Sequence, residues 1–350
     1  MSLLTSQGNL KSQTITNEVL IDKRTHKIVK YWGKVGFPYI DTGEKFRQDK
    51  FDAFMKVDDM QSLDFNNRSF KFNNAGLALA WSYHPHAFEV QCNNQKSPMD
   101  VFNDYDTFSK GIKKTLKGSF FKKRSFEELM QKNDQTNEMI RTVLRRVSGA
   151  QMVSNFRPIT ASALYKLFTD KNDVVWDMSC GWGGRLLASI KAEINYIGTD
   201  PNTQTQKGLN QMMTTFGNEA YHYELLTMGS EEHRPDKNSL DFAFTSPPYF
   251  DTEKYSETET TQSYLKYSNI NTWKEDFLRK TLENVYYGLK PNKFCAFNVA
   301  DVKSYETFEK DTKQIASEVG FKLVDTFDLR LSSQSNDYKS EPIFIFKKGK

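Results

Sequence analysis

Val174-Val-Trp-Asp177-Met-Ser-Cys-Gly181-Trp-Gly183-Gly184-Arg185 decides how the second half of the chain is read. An apolar stretch of strand character runs into a small, glycine-rich turn and then into residues 185–193, whose apolar spacing is helical. Small residues in such a turn let the backbone approach a ligand closely and point its amides at it. Glycine-rich turns between strand and helix also arise for steric reasons alone. The pattern GxGG is neither the GxGxxG of a nicotinamide site nor a loop ending in Gly-Lys-Ser/Thr for a nucleoside triphosphate.

Outward from this segment the chain keeps an α/β rhythm. Strands are predicted at residues 174–178, 196–200, 221–225, 240–244, 294–299, 322–327 and 342–346, enough for one seven-stranded sheet. Helices are predicted near 185–193, 203–216, 271–289 and 306–319, the third ending at the turn Lys290-Pro-Asn292 and the fourth at Gly320. The last two strands have a short connection and should pair antiparallel. Tyr196-Ile-Gly-Thr-Asp200-Pro-Asn202 places an acid at the end of the second strand, where it can hold both hydroxyls of an unphosphorylated ribose.

The most informative segment is Phe242-Ala-Phe-Thr-Ser246-Pro247-Pro248-Tyr249-Phe250-Asp251. Two prolines cannot continue a hydrogen-bonded ladder, so they freeze the backbone in extended form at the carboxyl edge of the sheet. Open α/β sheets bind their ligands at that edge. Ser246-Pro-Pro-Tyr249 resembles the catalytic motif of the amino methyltransferases, S-adenosylmethionine-dependent enzymes that methylate an exocyclic amine of adenine or cytosine in DNA. Residues 177–184 resemble the cofactor loop of that family and Asp200 its ribose-binding acid. Asn155-Phe156-Arg157-Pro158-Ile-Thr160 resembles the segment over the cofactor's methionine end, and Glu341-Pro-Ile-Phe-Ile-Phe346 the closing strand.

The resemblance covers about residues 154–348. It implies a Rossmann-like α/β sheet with an antiparallel terminal strand over 151–350; it does not explain residues 1–150, an expected N-terminal α+β domain that becomes the candidate target-recognition module. It implies S-adenosylmethionine as cofactor, held by Phe156, Arg157, Thr160, Asp177, Ser179, Gly181, Gly183, Asp200 and Asn202. Ser246, Pro247, Pro248 and Tyr249 would be catalytic, with Asp251 as a secondary candidate. A base amine is a poor nucleophile because its lone pair is delocalised into the ring. Acceptors at Ser246 and the Pro247 carbonyl would draw it toward tetrahedral geometry, and Tyr249 would stack on a base flipped out of the duplex. Serine at 246 favours cytosine N4 over adenine N6. RNA or a protein amide as acceptor, a non-catalytic nucleic-acid-binding module, and a nicotinamide dehydrogenase are the rival readings.

Composition bounds the rest. The chain has 350 residues, of which 38% are hydrophobic and 26% charged, so collagen-like, low-complexity and wholly disordered classes are excluded. No apolar run reaches membrane-spanning length and the start lacks the pattern of a signal peptide, so a cytoplasmic protein is expected. Cys92, Cys180 and Cys295 are widely separated and predict free thiols; no metal is expected, since His84 and His86 lack further ligands in sequence.

The first ninety residues read as irregular, with short strands at Ser69-Phe-Lys-Phe and Ala87-Phe-Glu-Val-Gln, and residues 101–150 as a helical layer. The net charge of +4 identifies no partner by itself, but residues 101–150 carry eleven basic and six acidic side chains. Lys113, Lys114, Lys122, Lys123, Arg124, Arg145 and Arg146 are therefore the candidate DNA contacts, against the alternative of a solvated helical face. A partner nuclease in restriction-modification, or a regulatory partner, is compatible with this reading.

Overall fold

The computed structural model describes residues 4–118, 124–255, 260–331 and 339–350, with side chains from residue 17 onward. The chain divides into two compact units, Met1–Asp41 with Ala87–Val153, and Thr42–His86 with Ser154–Lys350. Sequence places a division at residue 150; the structure groups residues 42–86 with the second unit.

The second unit is an α/β domain on one sheet. Its strands in chain order are β1 (Leu63–Asp64), β2 (Ser69–Phe70), β3 (Val174–Asp177), β4 (Asn195–Thr199), β5 (Tyr223–Leu226), β6 (Leu240–Thr245), β7 (Leu289–Asn298), β8 (Lys322–Arg330) and β9 (Ser340–Lys347). Their order across the sheet is β1-β2-β8-β9-β7-β6-β3-β4-β5. From β7 through β6, β3 and β4 to β5 every pairing is parallel. β9 is inverted and lies antiparallel to both β7 and β8. All seven strands expected from sequence are present, and β1 and β2 extend the sheet beyond β8, with β2 parallel to β8.

β6, Leu-Asp-Phe-Ala-Phe-Thr, is buried at all six positions, as a central parallel strand covered on both faces must be. Alternation sorts its side chains: Phe242 and Phe244 join Val175, Ala296 and Ile343 in one core, while Ala243 joins Trp176, Phe297 and Phe344 in the other. The helix Thr203–Phe216 starts where Asn202 accepts a hydrogen bond from the Thr205 amide at 2.8 Å. Lys290-Pro-Asn292 does not form the expected turn. It lies within β7, where Asn292 takes φ +65° and the pairing with β6 shifts register.

Residues 42–86 are held to this unit by charge as well as packing. Asp59 is wholly buried and lies 2.8 Å from Lys191 Nζ and 2.9 Å from Lys166 Nζ, and Ser162 donates to it at 2.9 Å. Lys191, itself nearly buried, also donates to the carbonyls of Phe54 and Val57.

The first unit is built around helices. Leu4–Val35 is a single helix of 32 residues where the sequence reads as irregular, and Ala87–Gln91, expected as a strand, instead begins in the 3-10 turn Pro85–Phe88. Ile28 and Trp32 of the long helix are fully buried with Phe108 and Ile112 of the helix Tyr105–Lys117, and Leu129, Ile140 and Leu144 complete the core. Trp32 Nε1 donates to the Leu129 carbonyl at 2.9 Å, and Arg141 donates to that of Pro38 at 2.6 Å.

Replacing Asp59 by alanine would leave the Lys191 ammonium buried without its carboxylate. The expected loss in unfolding free energy is about 3 kcal/mol, measured by urea denaturation of the full chain.

Candidate functional site

The carboxyl ends of the parallel strands converge on a cavity of about 300 Å³. Its wall takes Met178 to Trp182 after β3, Asp200 to Asn202 after β4, Gly229 to Glu231 beyond β5, Ser246 to Phe250 after β6, and Asn298 at the end of β7. Because β9 is inverted, its first residues reach the same edge, and Glu341 joins the wall. Ser154 to Arg157 also contribute. The glycine loop, the acid after β4 and the Pro-Pro turn, separated by up to seventy residues in sequence, thus line one cavity.

The loop after β3 is fixed from below. Asp177 is wholly buried and accepts hydrogen bonds from Arg185 Nε at 2.8 Å and from the Tyr196 hydroxyl at 2.7 Å. Arg185 also donates to the Ser179 carbonyl. Gly183 takes φ +80° to cap the helix Gly184–Ala192, and a Cβ on Gly184 would stand 2.0 Å from the Phe156 carbonyl oxygen. Asp177, Thr160 and Gly183, expected to touch the cofactor, do not line the cavity. Thr160 is buried in the helix Pro158–Phe168, and Asp177 is occupied by Arg185 and Tyr196.

Asp200 faces the cavity. Its carboxylate accepts the amides of Gly181 at 3.1 Å and Asn202 at 2.9 Å, so one side chain joins the two loops. Burial pushes its pKa up from 3.8 to about 6, although both amides favour the anion. Arg157 stacks its guanidinium 4.7 Å from the Phe72 ring and donates from Nη2 to the Arg330 carbonyl, leaving the buried Nη1 unpartnered. Burial lowers its pKa to about 10.

At the Pro-Pro turn, Phe250 has φ +51°, a strained conformation for a bulky residue. Its ring packs edge-on against Trp273 at 6.2 Å. The single hydrogen of the Tyr249 hydroxyl is shared between the Asn298 carbonyl at 3.3 Å and Glu341 Oε2 at 3.4 Å, and burial raises the hydroxyl's pKa well above 10. Asp251 does not line the cavity; Glu253 and Glu341 do. Glu253 accepts from the Ser154 amide at 3.0 Å and from the Tyr255 hydroxyl.

Two cavity residues not foreseen from sequence carry unpartnered buried atoms, Glu231 Oε2 and Gln262 Nε2. The other Glu231 oxygen accepts from Lys266 at 2.7 Å and Tyr267 at 3.0 Å. An acid following β5 with Lys266-Tyr267 downstream has no short motif, which is why periodicity and turn chemistry pass over it.

His84 and His86 pack around Trp182 at 5.6 and 5.2 Å. A Cβ on Gly208 would stand 2.5 Å from the His84 ring, which burial keeps neutral with a pKa of about 3. Among the described residues no group of three or more His, Cys, Asp or Glu side chains is placed to hold a metal. Cys92, Cys180 and Cys295 are buried, and among the described residues none forms a disulfide.

Of the basic candidates in the first unit, Lys113 is paired with Asp22 at 2.5 Å and Arg124 with Glu128 at 3.7 Å. Lys114, Arg145 and Arg146 are exposed, and Lys122 and Lys123 lie outside the described residues.

No protein-family model matches the sequence, and no curated protein matches it. Among solved structures the chain is similar to a SAM-dependent methyltransferase from Methanosarcina mazei, with 13% identity and TM-score 0.37 over 53% of this chain and 97% of that one. It is similar also to a cyclopropane synthase from Mycobacterium tuberculosis, with 9% identity and TM-score 0.39 over 54% and 84%. A methyltransferase from Pyrococcus furiosus has 16% identity and TM-score 0.37 over 55% and 83%.

Replacing Asp177 by alanine removes the partner of buried Arg185 and is expected to lower stability by about 3 to 5 kcal/mol. Asp251→Asn should leave the unfolding free energy from urea denaturation within about 0.5 kcal/mol of the parent.

Proposed function

We propose that the chain is an S-adenosylmethionine-dependent methyltransferase acting on an exocyclic base amine in DNA, cytosine N4 in preference to adenine N6. The observation that carries this reading is the presence of the Ser246-Pro-Pro-Tyr249 turn in the same cavity as Asp200 and the glycine loop.

Two atoms left without partners, Arg157 Nη1 and Glu231 Oε2, and the further accepting capacity of Asp200 suit that cofactor. Arg157 Nη1 offers a cation to the methionine carboxylate, Asp200 accepts from ribose hydroxyls, and Glu231 Oε2 accepts from an amino edge such as that of adenine. Gly181, at φ +50°, supports a close backbone approach beside Ser179 and Asn202. When bound, S-adenosylmethionine supplies a methyl group activated by the sulfonium. The chain supplies position and polarity. Ser246 and the Pro247 carbonyl accept the amine hydrogens, and the fixed φ of Pro247 and Pro248 holds these acceptors in place before the substrate arrives. Tyr249 gives the base an aromatic face, while its hydroxyl stays tied to Asn298 and Glu341. The new nitrogen–carbon bond leaves the amine with a surplus proton, for which Glu341 offers a carboxylate in the same cavity.

Incubation with labelled S-adenosylmethionine and mixed-sequence duplex, followed by nucleoside mass spectrometry, should yield a methylated cytosine amine. Absence of any methylated base despite demonstrated cofactor binding would overturn the reading. Tyr249→Ala should lower kcat/KM roughly 10- to 100-fold with cofactor affinity retained.

Cofactor affinity should also depend on pH through Asp200. Hydroxyl donors stabilise its anion, so binding lowers its pKa; affinity is full above pH about 6 and falls as the free carboxyl gains its proton below that. Titration calorimetry across this range should show up to about tenfold weakening per pH unit, and Asp200→Asn should abolish the dependence.

A further inference from the structure

Lys23, Lys27, Lys30 and Lys34 recur at intervals of four, three and four along the helix Leu4–Val35. At about 100° per residue they fall within about 60° of one another around its axis, and they span about 17 Å along it. All four are exposed, and among the described residues none has an ion-pair partner. The acids of this helix, Glu18 and Asp22, are turned aside and bound by Lys117 at 3.0 Å and Lys113 at 2.5 Å. The helix therefore carries its positive charge uncompensated on one face, because lysines of its neighbour neutralise the negative charge.

The opposite face has no freedom to bind anything else. Thr25, Ile28, Val29 and Trp32 are buried in the core of this unit. An interfacial membrane helix sinks its apolar face into the bilayer, and here that face is filled by protein. A straight row of lysine ammonium groups fits a rigid polyanion whose charges repeat about every 1.7 Å along its axis.

We propose that the row Lys23-Lys27-Lys30-Lys34 binds the phosphate backbone of duplex nucleic acid without reading its sequence. This deepens the reading given above for the substrate class. It also moves the phosphate-contacting surface from Lys113 and Arg124, which are engaged in ion pairs, to the first helix.

The test compares two variants of equal charge in the full chain. One carries Lys23→Gln, Lys27→Gln, Lys30→Gln and Lys34→Gln. The other carries Lys45→Gln, Lys56→Gln, Lys207→Gln and Lys310→Gln, all exposed positions of the second unit. Binding of a fluorescent mixed-sequence duplex is measured over a salt series from about 50 to 200 mM, without methyl donor. The first variant should lower the slope of log affinity against log salt by about 3 to 4 and weaken binding at low salt at least tenfold, with its circular dichroism unchanged. The second should keep the parental slope. Equal behaviour of the two variants, an unchanged slope in the first, or tighter binding of the parent to phosphatidylserine vesicles than to duplex would overturn the proposal. Because no methyl transfer is measured, loss of this surface and failure of the methyltransferase reading are separate results.

Discussion

The second unit depends on one buried charge. Asp177 sits at the end of β3 with no access to water, and an unpaired carboxylate there would be prohibitively costly. Arg185 and Tyr196 satisfy it, and each comes from the element that follows a neighbouring turn. The same arginine holds the Ser179 carbonyl, so the loop, the helix behind it and the adjacent strand share a single fixed point. Asp200 repeats the arrangement one layer up, joining the loop after β3 to the loop after β4 through two amides. Two carboxylates therefore fix the loops at this edge, and of the two only Asp200 faces the cavity. The lower one is spent on structure and the upper one is left with capacity for a ligand.

The turn after β6 is anchored differently, through the apolar core. Phe250 is held in a left-handed conformation by packing against Trp273, and Tyr249 meets Phe308 edge-on at 5.5 Å. Strain of this kind persists only where surrounding packing over-determines it. The shape of the turn is thus set by the helices around residues 270–288 and 308–319 as much as by its own prolines.

The parallel sheet was legible because its strands are continuous apolar runs set between helical periods, and Asn202 and Gly320 mark helix ends by their own chemistry. The first helix was not legible. Its buried positions, Thr25, Ile28, Val29 and Trp32, include one polar residue and are embedded among lysines, so the stripe is thin against a charged background. The grouping of residues 42–86 with the second unit is not legible locally, because the interaction that ties them to it, Asp59 with Lys166 and Lys191, spans more than a hundred positions. In the candidate site, local turn chemistry singles out Gly181, Asp200 and Ser246, which line the cavity. It could not separate Asp177 from Asp200, since both are acids ending strands and only burial distinguishes them. Nor could it promote Glu231 and Glu341 over Asp251, because proximity to a motif in sequence is not proximity at the edge of a sheet.

The inverted strand has a consequence for how the site can vary. A forward strand delivers its last residue together with a loop, and a loop tolerates insertion and drift. β9 delivers Glu341 from within its own ladder, where it stands opposite Leu329 of β8. Side chains alternate between faces along a strand, so a slip of one residue would bring Ser340 or Pro342 to that position and turn the whole apolar set of β9 the wrong way. The carboxylate beside Tyr249 is therefore locked to the pairing of the core, and this part of the cavity can change by substitution but not by sliding or lengthening.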